Sequence, residues 1–190
     1  MHSVKVWDGF VRFTHWSVAA MVVMNYALTE EGSDIHQYLG YTAATLVGLR
    51  LIWGVIGSPY ARFSSFFPTP KRIKQHIRLM KTRQSGRELG HNPVGALMMF
   101  ALWGCIIGLA ATGYLMGTDA YWGSEALEAL HEGLANGLIG LAVLHVAAVA
   151  LMSLWGKTNL VRAMISGYKN VDEADKDSPD IDSMNQQEAV

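Results

Sequence analysis

The sequence predicts an all-α fold, an integral membrane, up-down-up-down four-helix bundle. Of its 190 residues 51% are hydrophobic and only 16% are charged. The charge is poorly mixed, so apolar runs reach the ~20 residues that a helix needs to cross a ~30 Å hydrocarbon core. Apart from Arg50, lysine and arginine lie only at or before the start of the first apolar run, between the second and third, and after the fourth. Finally, His131 and His145 stand fourteen residues apart in an otherwise apolar, glycine-rich stretch.

The elements follow in chain order. Residues 1–10 are short and polar, with Lys5 and Asp8. A first span is expected at about 12–29, opening on Arg12-Phe13-Thr14-His15-Trp16. It is too long for the core of a signal peptide, and no small-x-small cleavage site follows it. An acidic turn with Glu30, Glu31 and Asp34 leads to a second span at about 35–57, which carries His36 and Arg50. Pro59, Pro68 and Pro70 then break the chain. Residues 71–83 are strongly basic, with Ile73, Ile77 and Met80 at helical spacing. That pattern predicts an amphipathic surface helix, with His76 solvated on it. Gly90-His91-Asn92-Pro93 opens a third span at about 93–116, with proline suited to the first helical turn. A loop containing Asp119, Trp122 and Glu125 precedes a fourth span at about 127–155. The membrane domain is expected to cover residues 1–168, and residues 169–190 to form an acidic, disordered cytoplasmic tail.

Orientation follows from the basic residues. By the positive-inside rule both termini and the long loop are cytoplasmic, and the two short acidic loops face outside. That topology gives each histidine a depth. His15 and His145 lie towards the cytoplasmic side. His36 and His131 lie at the outer ends of their spans. Fourteen residues of α-helix turn through ~1400° and rise ~21 Å, so His131 and His145 share one face at two levels. The four histidines therefore sort into two pairs, His15 with His145 and His36 with His131. Ionisable groups within a membrane are costly and mark function. Each pair can fill both axial positions of a haem iron, so two b-type haems stacked across the membrane are expected. Gly40, Ala43, Ala135 and Ala142 leave room on those faces for a flat porphyrin. Zinc fits less well, because each level offers two histidines and no cysteine. The haems are non-covalent, since no Cys-x-x-Cys-His occurs. The single Cys105 rules out an internal disulfide and reads as packing.

Arg50 shares the His36 face at the depth of the inner pair, where a guanidinium calls for a counter-charge such as a haem propionate. Arg12, one turn before His15, can do the same or can serve as ordinary positive-inside flanking. His91 and Asn92 suit a quinone carbonyl or hydroxyl near the inner haem. Equally, Asn92 before Pro93 is a plausible N-cap.

Taken together, Trp7-Asp8, Arg12-x-x-His15-Trp16, His36-x-x-x-Gly40-Tyr41, Gly90-His91-Asn92-Pro93-x-Gly95-Ala96, His131, His145 and Asn159-Leu160-Val161-Arg162-Ala163-Met164 resemble the bacterial cytochrome b561 and nickel-hydrogenase b-type cytochrome family. The resemblance covers residues 4–168 or so. The histidine pair in the last span is also similar to that of the formate dehydrogenase gamma subunit, in which quinone lies near the asparagine position that Asn92 matches. The resemblance implies two b haems and electron exchange with the quinone pool from a bacterial inner membrane, as part of a respiratory chain. The expected activity is electron transfer across the membrane between quinone and a periplasmic redox partner. The outer loops hold Glu30, Glu31, Asp34, Asp119, Glu125 and Glu128 with no basic residue, which suits a basic c-type cytochrome. A dehydrogenase or hydrogenase subunit is the other partner expected, and no nucleic acid is. Two alternatives stand beside this. One is a stand-alone superoxide:quinone oxidoreductase, disfavoured by the acidic outer face. The other is a haem-free membrane anchor.

Overall fold

A computed structural model describes residues 2–81, 90, 92–155 and 158–171. They form strand β1 (His2–Lys5), helices α1 (Gly9–Leu28) and α2 (Asp34–Ile56), a 3-10 turn at Pro59–Ala61, helices α3 (Phe63–Phe66), α4 (Pro70–Lys81), α5 (Pro93–Met116), α6 (Glu125–Trp155) and α7 (Leu160–Ser166), and strand β2 (Tyr168–Val171). Three helices are long and apolar enough to cross a membrane: α2, α5, and α6 over Glu125–Leu154. Helix α1, expected as a fourth span, has 20 residues, enough for about 30 Å. It is not among those three by length and hydropathy, and Arg12, Thr14, His15 and Asn25 lie along it.

The chain divides into two compact units. One consists of Phe13–Leu51 and Met98–Val146, and so takes segments of α1, α2, α5 and α6. Its core is Ala43, Val47, Ile106 and Leu138. Val18, Met21 and Val22 of α1 pack against them, with Leu102, Trp103, Cys105 and Leu109 of α5. Cys105 is thus a packing residue.

The other unit gathers the described residues of Met1–Arg12, Ile52–Leu97 and Ala147–Val190. Its core is Val6, Trp7, Val11, Ala61 and Ala163. Strands β1 and β2 pair antiparallel, with Val4 opposite Lys169 and Lys5 opposite Tyr168. The boundary expected after residue 168 therefore falls inside a strand, and Lys169 is buried. Residues 172–190, where the disordered tail was expected, lie outside the described residues. Asp8 organises the start of α1. One carboxylate oxygen accepts the Val11 N–H at 2.8 Å, a side-chain cap that satisfies a free helix donor. The other accepts from Trp53 Nε1 at 3.0 Å and from the Ser58 hydroxyl at 2.5 Å. One side chain thereby joins the beginning of α1 to the end of α2.

His76, expected to be solvated, is buried in α4 at 3% exposure, whereas Ile77 is 44% exposed. The inward stripe of α4 runs through His76 rather than through the Ile77 position. The residues expected at the end of this helix, 82 and 83, lie outside the described residues.

Helix α7 ends on Gly167 at φ 90°. The Gly167 carbonyl accepts the N–H groups of Val6 and Trp7 at 2.8 and 3.0 Å, and a Cβ at this glycine would stand 2.7 Å from the Trp7 carbonyl oxygen. Gly167→Ala is expected to cost about 1–3 kcal/mol, since an L side chain is strained at this φ and here also meets backbone. A lowered midpoint for thermal unfolding in detergent checks it.

Candidate functional site

The unit built from Phe13–Leu51 and Met98–Val146 places four histidines in two pairs. His15 of α1 faces His145 of α6, with ring centroids 6.4 Å apart and planes at 55°. His36 of α2 faces His131 of α6, with centroids 6.3 Å apart and planes at 50°. Helix α6 supplies one ring to each pair because it runs unbroken from Glu125 to Trp155. Between the pairs on that helix lies Leu138, in the same buried cluster as Ala43 of α2.

The spacing has a chemical meaning. Two imidazoles joined by a direct hydrogen bond would have centroids near 5 Å, from an N···N distance of about 2.9 Å and about 1.1 Å from each nitrogen to its ring centre. Two imidazoles on opposite sides of one metal, each bound at about 2 Å, have centroids about 6.2 Å apart. Both observed separations suit the second arrangement. Among the described residues no group of three or more His, Cys, Asp or Glu could hold a metal ion alone. Each pair therefore suits a metal whose other ligands come from a macrocycle, and a haem iron with two axial histidines is such a centre.

Hydroxyls support the pair at His36 and His131. Thr112, 5% exposed on α5, has Oγ1 2.7 Å from His131 Nδ1. The same hydroxyl donates to the Gly108 carbonyl at 2.8 Å. A hydroxyl has one proton, so towards His131 its oxygen accepts, and the ring proton sits on Nδ1. Nε2 is then the bare nitrogen, available to a metal. At His36, Thr29 Oγ1 lies 3.4 Å from Nδ1 and donates to the Asn25 carbonyl at 2.7 Å. The Asn25 amide donates to the His36 carbonyl at 3.2 Å. At the other level His15 Nδ1 is buried with no hydrogen-bond partner among the described residues. The Trp16 ring meets it edge-on at 5.1 Å.

These supporting residues were not singled out from the sequence. A signal existed for Thr112. It is the only serine or threonine in the 24 residues of α5, and a polar side chain in so apolar a helix is there for a reason.

Arg50 is buried at 4% exposure, its guanidinium carbon 5.6 Å from the centre of the Trp103 ring. That contact offsets part of the cost of burying the cation. Arg12 donates from Nη1 to the Ile165 carbonyl at 2.6 Å, near the C-terminus of α7. Its Nε is buried with no hydrogen-bond partner among the described residues. Nothing near Arg12 in the chain signals that backbone bond. Asn92 caps α5, its Oδ1 accepting the Gly95 N–H at 2.6 Å. His91 lies outside the described residues.

The model of a protein family described as prokaryotic cytochrome b561 matches residues 6–167. No curated protein and no solved structure matches the chain.

Asn92→Ala should expose the first turn of α5 and cost about 1 kcal/mol. Faster amide hydrogen exchange at Gly95 measures it. Asn92→Asp, which keeps an accepting oxygen, should exchange as the wild type does.

Proposed function

The chain belongs to the prokaryotic cytochrome b561 family, and from that premise we propose that it carries electrons across a bacterial inner membrane through two b haems, between the quinone pool and a periplasmic redox protein. The coarser statement stands on the family itself: this is a membrane b-type cytochrome that binds haem and transfers electrons. One observation carries the finer reading, the two histidine pairs with centroids 6.4 and 6.3 Å apart. Bound b haem supplies reversible one-electron chemistry at its iron.

The residues divide that work. His15 and His145 would hold the haem at the inner level, and His36 and His131 the one at the outer. Iron held by two histidines would have no open position for an external ligand, and the chemistry it would supply is electron transfer rather than oxygen binding. Leu138 and Ala43 fill the layer between the levels and exclude water from it. Arg50, buried on the His36 face of α2, balances a propionate at the inner level. Arg12 has Nε available for another. Quinone binds at the inner end beside His91 and Asn92. Asn92 Oδ1 is committed to Gly95, so its contact to a quinone carbonyl uses Nδ2 as donor.

Helix α1 serves as the fourth span, its polar residues turned to the site. Both termini are cytoplasmic, and the acidic residues Glu30, Glu31, Asp34, Asp119, Glu125 and Glu128 rim the outer face. A basic partner is steered there, a soluble c-type cytochrome being the chemistry that fits.

Haem content tests the reading. The purified protein should carry two haems per chain, and His36→Ala and His145→Ala should each carry one. A colourless, folded protein, or loss of both or neither from a single variant, contradicts it. The electron exchange rate with a basic c-type cytochrome should fall with rising salt, and a double change, Glu31→Lys with Asp119→Lys, should slow it roughly 10-fold at low ionic strength. Stopped-flow absorbance measures both effects.

A further inference from the structure

We propose that Thr112 is a positioning residue for the outer centre: its hydroxyl fixes His131 as the tautomer that ligates through Nε2 and lowers the midpoint potential of the haem held there. The inference rests on the two-haem reading above, and it assigns to α5 a role that no histidine on that helix supplies.

The geometry leaves the hydroxyl one part to play. Its proton is taken by backbone, with the Gly108 carbonyl at 2.8 Å and the Leu109 carbonyl at 3.2 Å. A threonine bonded back to the preceding turn is locked in its rotamer. The oxygen is left to accept, and His131 Nδ1 is 2.7 Å away. Burial to 5% exposure keeps water from competing. Small residues let α5 come this close to α6. A Cβ on Gly113 would lie 3.5 Å from His131 Cε1, and one on Gly108 would press to 3.0 Å against Leu134.

An Nδ1–H donated to an oxygen makes the opposite nitrogen a stronger ligand. A stronger donor stabilises the more highly charged ferric iron and so lowers the potential. His36 has only a long contact, 3.4 Å to Thr29, and His15 Nδ1 has no partner among the described residues. Thr112 to His131 at 2.7 Å is shorter than Thr29 to His36 at 3.4 Å, so its loss should be felt at one haem and not at the other.

Redox titration of the full-length protein followed by absorbance tests this without reference to turnover. Thr112→Val keeps the shape and removes the hydroxyl, and Thr112→Ser keeps the hydroxyl. In the His145→Ala background, which retains the outer haem, Thr112→Val should move the midpoint upward and Thr112→Ser should leave it in place. In the His36→Ala background, which retains the inner haem, neither should move it. Loss of the outer haem from Thr112→Val with retention in Thr112→Ser supports the same bond, acting in ligation itself. An unmoved midpoint, a downward shift, equal shifts in the valine and serine variants, or a shift of the inner haem overturns the proposal. A wild-type protein without two haems fails earlier and overturns the ligation on which the proposal stands.

Discussion

An imidazole nitrogen held inside an apolar helical unit has to find a partner, because an unsatisfied polar group there costs several kcal/mol. The rest of this structure can be understood from how that demand is met. Four rings project into one unit, and each stands across from another at a distance too long for a hydrogen bond and right for one metal between them. Helix α6 makes this possible by continuity alone. Fourteen residues bring the second histidine back to the face of the first, so one straight element addresses two levels. Helices α1 and α2 then need to contribute only one ring each. Aliphatic packing at Leu138, Ala43 and Val47 keeps the two levels apart.

The polar groups around the rings follow the same logic. Burial removes the competing solvent around Thr112, so its hydroxyl acts at full strength on the His131 ring. Thr112 and Thr29 both give their protons back to a carbonyl of the preceding turn and turn an oxygen towards a histidine. Arg50 obeys a related rule with opposite sign, a buried cation set against the face of Trp103. Helix α1 carries His15 and Asn25 along its length for a matching reason, one ring facing His145 and one amide donating to the His36 carbonyl.

Much of this was legible in the sequence, and the physical reason is locality. Long apolar runs, their basic flanks and a fourteen-residue spacing are properties of contiguous chain, and the helices lie where those patterns placed them. The histidine pairing followed once depth was assigned from charge. The parts that were missed depend on chain far away. Strand β2 takes its partner from the other end of the sequence, and Arg12 bonds a carbonyl at Ile165. Thr112 meets His131 across two helices. His76 was misplaced because a basic helix with Ile73, Ile77 and Met80 four and three residues apart does not say which edge of its apolar stripe turns inward. Asn92 had two readings, and its geometry as a cap constrains the other by occupying its oxygen.

Pairing of β1 with β2 has a consequence for biogenesis. His2–Lys5 precedes the four long helices in the chain, and its partner Tyr168–Val171 follows the last of them. The small sheet therefore cannot close while helices are still being handed to the membrane. Contacts so far apart in sequence form slowly, so Val6 and Trp7 meet the Gly167 carbonyl that receives them only after the last long helix has been made. Assembly of the unit around Trp7 is thereby a late step, and a chain cut before β2 leaves Val4 without its pairing to Lys169.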